Sequence, residues 1–116
     1  AFAARFEKRF GRKPNDNQVA LYSSVRHYLE AVKAAGTDDA LAVAKAMKAA
    51  PIHDVFTADG HVRDDGRVTY DRYLTKVKTP QESKYPWDYL TVLAKIPAAD
   101  AFRPQGATGC KETASP

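Results

Sequence analysis

The stretch from Asn15 to Asp39 constrains the fold of this chain more than any other. Asn15 can cap a helix, and Gln18 sits at the third helical position, where its side chain can reach back to the cap. Val19, Tyr22, Val25, Leu29 and Val32 then recur at helical spacing, with Leu21, Tyr28 and Ala31 widening the stripe. Gly36 supplies the stop, because glycine takes the left-handed conformation that closes a helix at little steric cost. Thr37 can cap the next helix, with Asp38 and Asp39 in its first turn, where the helix dipole favours negative charge. The spacing predicts a helix to about Ala35. An apolar arc this wide predicts packing against a sheet, with neighbours at the sides.

The flanking segments carry equally local signals. Phe2, Phe6 and Phe10 fall at spacings of four, which predicts a helix over 2–10 with its Phe stripe in a core. Gly11 follows at a position suited to a C′ residue, and Pro14 blocks continuation. A third helix is expected over roughly 38–49, with Ala40, Val43, Ala44 and Met47 inward and Leu41 beside them. Lys45 faces outward, and the Lys48 stem lies at the stripe edge. Pro51 ends that helix. Ile52 to Phe56 reads as extended chain or loop. Asp59-Gly60 and Asp65-Gly66 are turn signals that leave room between them for only a small ribbon. Residues 67–78 alternate as a strand with both faces partly covered. Thr79 to Trp87 is a polar connector, and 88–96 form a second strand, with Leu90, Val92, Ala94 and Ile96 on one face. Residues 98–116 read as a loop-like tail anchored by Phe102. The expected order is three helices followed by two strands. A free two-stranded ribbon is marginal in water, so these strands call for a partner sheet.

The chain has 116 residues, which is one domain or a piece of one. It is 44% hydrophobic and 28% charged, unlike a disordered chain. No apolar run approaches the roughly 18 residues of a membrane span. Charges interrupt every apolar stretch of residues 1–10, so this end does not read as a signal peptide. The net charge is +4 and the pI about 9.2. Lys and Arg are dispersed among acids, as between Arg63 and Arg67, which reads as a solvated basic surface rather than a nucleic-acid footprint. His27, His53 and His61 form no i, i+4 pair and there is no cysteine cluster, so neither a metal site nor a cofactor is expected. His27 reads as a packing or surface residue. Adjacent His53 and Asp54 point to opposite sides of an extended segment. The Asp-Gly pairs lack the ligand spacing of a calcium loop. No phosphate loop or nucleophile elbow is present, and no constellation argues for an enzyme. Cys110 is the only cysteine, either a free thiol or half of a bridge whose partner lies outside this sequence.

The order of these pieces is similar to a known family. The residues that carry the likeness are the Phe-rich helix ending Phe10 to Pro14, the helix holding Tyr22, and the segment Glu30 to Asp39. Val43 to Met47, Arg63 to Arg67, Tyr73 to Pro80 and Glu82 to Tyr89 complete it. Together they resemble the C-terminal part of the periplasmic substrate-binding proteins of ABC transporters, of the branched-chain-amino-acid-binding type (type I). The resemblance implies an α/β fold in which residues 1–116 are a partial substrate-binding domain, a C-terminal fragment comprising one lobe and hinge strands. It implies capture of a small solute, such as an amino acid or small carboxylate, between two lobes in the periplasm. A membrane permease and the remainder of the same binding protein are the partners it implies, with no nucleic acid. It places Gln18, Val19 and Tyr22 beside the cleft as candidate ligand-binding residues; the other reading makes Val19 and Tyr22 core alone. The family's main ligand contacts would lie upstream of this chain. Cys110 could then bridge to an absent segment in an oxidising compartment. The readings from other classes are a small basic nucleic-acid-binding protein and a helical interaction domain.

Overall fold

A computed structural model describes residues 2–107. Three helices come first: α1 (Phe2–Phe10), α2 (Asp16–Ala35) and α3 (Ala40–Ala49). Four strands follow: β1 (Gly60–Val62), β2 (Val68–Tyr70), β3 (Arg72–Val77) and β4 (Leu90–Ile96). A single turn of helix, α4 (Ala98–Ala101), lies within the segment expected to be loop-like. Cys110 lies outside the described residues.

Local chemistry explains the helix ends. The Asn15 side chain accepts from the Gln18 N–H at 2.9 Å, and the Gln18 side chain accepts from the Asn15 N–H at 3.1 Å, so the capping box is complete. Gly36 closes α2 at φ 66, and its N–H donates to the Val32 carbonyl. The cap of α3 is Asp39, not Thr37. Asp39 Oδ1 accepts from the Ala42 N–H at 2.9 Å, whereas Thr37 Oγ1 accepts from Asp39 itself. The helix therefore starts two residues later than expected, because the carboxylate reaches the third helical N–H and the threonine is used one turn of chain earlier.

The expected pair of strands is corrected to four, in two separate antiparallel ribbons. β1 pairs with β2, placing Gly60 opposite Tyr70, and β3 pairs with β4, placing Arg72 opposite Ile96. The expected single strand over 67–78 breaks at Asp71. One Asp71 carboxylate oxygen accepts from the Ala98 N–H at 3.0 Å and the other meets Lys95 Nζ at 2.6 Å. Asp71 thus fastens the crossing point between the ribbons to the end of β4. The register of the second ribbon shifts between Leu74 and Thr75, so strict alternation does not survive along it.

Burial also departs from expectation. The hydrophobic residues that are buried, among those described, are Ala31, Val43 and Ile52. α2 packs on α3 through Ser23, His27 and Ala31, which are buried at spacings of four. Its apolar arc faces outward instead: Leu21 is 67% exposed, and Val25 and Leu29 are exposed as well. β3 is exposed along its whole length. Chain dimensions agree, with extents of 57 × 35 × 18 Å and a radius of gyration of 17.4 Å. A compact domain of this length would have about 13 Å.

The connector between β3 and β4 is held by one ion pair. Lys78 Nζ lies 2.6 Å from Asp88 Oδ1, and Asp88 Oδ2 accepts from the Lys84 N–H at 3.1 Å. Between these ties, Trp87 takes a φ of 71, a left-handed conformation unusual for a bulky residue. The hydrogen bond from Lys78, and next that from the Lys84 amide, hold the Asp88 carboxyl below its ordinary pKa. A carboxyl so lowered contributes stability that is complete above its unfolded pKa and lost as pH falls through its folded one. Trp87 is the only tryptophan and reports on this loop. Its fluorescence should change below about pH 4, the ordinary aspartate range. Asp88→Asn should show the low-pH emission already at neutral pH; an unchanged acid transition in that variant would count against the ion pair as the clamp.

Candidate functional site

The candidate residues Gln18, Val19 and Tyr22 lie in the first two turns of α2. Two of them come together. Gln18 and Tyr22 line a groove of about 840 Å³ with Phe2, Phe6, Leu21 and Val25. Tyr22 stacks on Phe2 with ring centroids 4.7 Å apart, and the Phe stripe of α1 continues the wall through Phe6 and Phe10. Val19 is half-buried and does not line that groove. The Gln18 amide oxygen is occupied by the cap, which leaves its NH₂ group to serve a ligand. Arg26 and Glu30, paired at 2.8 Å, form part of the same rim.

A second concavity, of about 800 Å³, opens on the other side of α2. Ser23, His27, Met47, Ile52, Tyr70 and Phe102 are among the residues that line it. Phe56, Tyr70 and Phe102 stand in an edge-to-face line, with centroids 4.7 and 5.6 Å apart. His27 Nε2 sits 3.0 Å from the Met47 carbonyl, a contact that requires the proton on Nε2 and ties α2 to the end of α3. His27 is therefore a packing residue in this chain. Buried Ser23 faces the Asp54 carboxyl. Burial pushes the Asp54 carboxyl up, but bonds from Ser23 and from the Phe56 and Thr57 amides outweigh it, and the net shift is downward.

Neither concavity presents an assembled reaction centre. Among the described residues, no three His, Cys, Asp or Glu side chains converge as a metal site requires. His53 Nδ1 contacts the Ala58 carbonyl, and His61 meets Asp59 at 3.0 Å, each partner local in sequence. What the geometry offers is recognition surface: an aromatic and aliphatic wall with a few polar groups at its edge.

The family model for periplasmic binding proteins matches residues 1–84, well over half of the chain. The chain belongs to the periplasmic binding protein family. Two solved periplasmic binding proteins share its fold. One, a periplasmic binding protein from Burkholderia mallei, is 42% identical with a TM-score of 0.86, over 90% of this chain and 28% of that one. The other is a branched chain amino acid ABC transporter periplasmic ligand-binding protein from Burkholderia xenovorans LB400. It is 39% identical with a TM-score of 0.84, over 89% of this chain and 28% of its own. This periplasmic-binding-protein chain thus spans little more than a quarter of the length of either structure. No match is found among curated proteins. The α/β class and the family expected from the sequence are borne out, and the element count is corrected as described above. The relatives are binding proteins, in keeping with a solute-binding role.

Sequence reasoning missed the second concavity. Its signal was present as Ser23, His27 and Ala31 at four-residue spacing, a small and polar stripe that suits close helix approach. The stronger apolar periodicity on the opposite side of α2 masked it.

Proposed function

We propose that this chain is part of the solute-binding component of an ABC importer, acting in the periplasm. It contributes one wall of a cleft that closes over a small solute, an amino acid or small carboxylate. The observation that carries this reading is the family match together with the groove at the start of α2, where Gln18 offers an amide and Tyr22 an aromatic face. Val19 stands beside them as a half-buried neighbour and completes the candidate set. A ligand with one polar and one apolar end suits that pairing. Closure of two lobes gains its free energy from contacts made in both, so the remainder of the protein supplies the opposing contacts. A membrane permease would then receive the closed form. The chain acts by binding and release, without covalent chemistry.

The test uses a hybrid in which residues 1–107 replace the matching segment of the Burkholderia mallei protein. Calorimetry against the natural amino acids and small carboxylates should find one that titrates. Burying an aromatic side chain against a ligand contributes about 1.5–3 kcal/mol, so Tyr22→Ala should weaken binding by roughly ten- to a hundredfold. Failure of every solute would sink the solute-binding reading. Binding unchanged in the Tyr22 variant would move the contact surface elsewhere.

A further inference from the structure

We propose that a recess formed by Arg63, Arg67 and Arg103, remote from the α1–α2 groove, binds a phosphate group. The recess measures about 350 Å³ and is lined by these three arginines with Ala101 and Phe102. Its construction is specific. Arg63 Nε donates to Asp65 Oδ1 at 3.1 Å, Nη2 donates to Asp65 Oδ2, and Nη1 donates to the Arg103 carbonyl at 2.7 Å. Each nitrogen of that guanidinium therefore donates one hydrogen bond within the chain. Its side chain and that of Asp65 are largely buried, at 18% and 9% exposure. The hydrogen bonds that Arg63 donates, and then the one from the Arg67 amide, hold the Asp65 carboxyl below its ordinary pKa. Arg63 and Asp65 cancel in charge and act as a bracket that fixes the backbone of Arg103.

The turn between β1 and β2 places the second arginine. Gly66, at φ 77, donates its N–H to the Arg63 carbonyl at 2.9 Å. The Arg67 carbonyl accepts from the Arg63 N–H at 2.9 Å, and the Arg67 N–H donates to Asp65 Oδ1 at 3.1 Å. Arg67 and Arg103 therefore project from a fixed frame. Among the described residues, neither side chain has a carboxylate within ion-pair distance. The nearby acids Asp64, Asp65 and Asp100 do not line the recess, and Asp65, whose carboxylate feels the Arg67 charge, is already bonded to Arg63. Arg72, just behind it, is turned to the Tyr70 and Phe102 rings and adds to the same field. Two guanidiniums lining one concavity repel each other, and an anion between them relieves that repulsion. A phosphate group fits because its oxygens can take both planar forks at once.

The phosphate could be free in solution or carried on a lipid headgroup. Two arms separate these sources, using the 116-residue chain. In one, inorganic phosphate is titrated while the arginine Nε–H resonances are followed by NMR. In the other, vesicles of phosphatidylglycerol and phosphatidylcholine are added and co-sedimentation is measured. The expected result is saturable binding in one arm, with shifts confined to Arg63, Arg67 and Arg103. Arg67→Gln with Arg103→Gln should weaken it by about tenfold or more, since charge-assisted pairs dominate such a site. Arg12→Gln, in the α1–α2 linker, should leave it unchanged. Both replaced side chains stand clear of the buried Arg63–Asp65 bracket, and Arg103→Gln alone provides a milder variant with the same sign. Absence of saturation in both arms overturns the proposal. So does equal binding by the double variant, or a shift spread over all arginines alike.

Discussion

Alone in solution, the 116-residue chain is expected to bind a hydrophobic dye strongly, to self-associate, and to give no heat with any amino acid. The reason is a mismatch between what its sequence prepares for burial and what its fold covers. The arc of Leu21, Val25 and Leu29 on α2 is open to solvent, as is Leu41 on α3 at 82% exposure. Tyr73 on β3 and Val92 on β4 are each 60% exposed. Monomeric proteins seldom leave contiguous apolar patches beyond a few hundred Å² uncovered, and larger ones mark contact surfaces. The β3–β4 ribbon adds unpaired strand edges, which template association. Solute binding should fail for a related reason. The groove holding Gln18 and Tyr22 is a single wall, and small ligands are held by pockets that bury most of their surface. Sedimentation and dye fluorescence test the first part, and calorimetry the second. A monomeric chain that ignores the dye, or one that binds an amino acid tightly, would contradict the reading of these surfaces.

How much of this was legible beforehand follows from the range of each signal. Asn15, Gln18, Gly36 and Pro51 act within four residues of themselves, and the two ends of α2 and the end of α3 are where the sequence put them. Thr37 and Asp39 are both competent caps, and only geometry chooses Asp39. The break at Asp71 was hidden because alternation continues across it, with Thr69 before and Tyr73 after. Its visible sign was a carboxylate inside a strand pattern, and its cause is a partner 27 residues away at Ala98. Apolar periodicity located the surface of α2 that is written for burial. It could not say that this chain buries the Ser23, His27 and Ala31 side instead. The candidate groove was partly legible, since Gln18 and Tyr22 share one helical face and Val19 lies off it. The arginine recess was not, because the bond joining Arg63 to Arg103 spans 40 residues.

Ile52→Ala should collapse the unit built on α3, β1 and β2 while leaving the second ribbon almost untouched. Ile52 is 6% exposed, one of the buried hydrophobic residues beside Ala31 and Val43. Its backbone exchanges two hydrogen bonds with Gly60, at 2.7 and 3.0 Å, which anchors the start of β1. Its side chain packs so closely on Gly60 that a Cβ added there would lie 3.2 Å from Ile52 Cβ. Removing a buried isoleucine to alanine costs about 2–5 kcal/mol. A core this small cannot spread that loss over other contacts, and small domains start from only a few kcal/mol of stability. Amide hydrogen exchange reads the effect locally. Protection at His61 and Thr69, an antiparallel pair, should fall by about a hundredfold or more, in proportion to the lost free energy. Lys76 and Thr91, paired in the other ribbon, should exchange at nearly their original rates. Ile52→Val removes one methylene and should cost about 1 kcal/mol. The two variants therefore separate packing from backbone effects: graded loss identifies the side chain as the anchor, whereas unaltered protection at His61 and Thr69 in both would assign the fold of this unit to the Ile52–Gly60 hydrogen bonds alone.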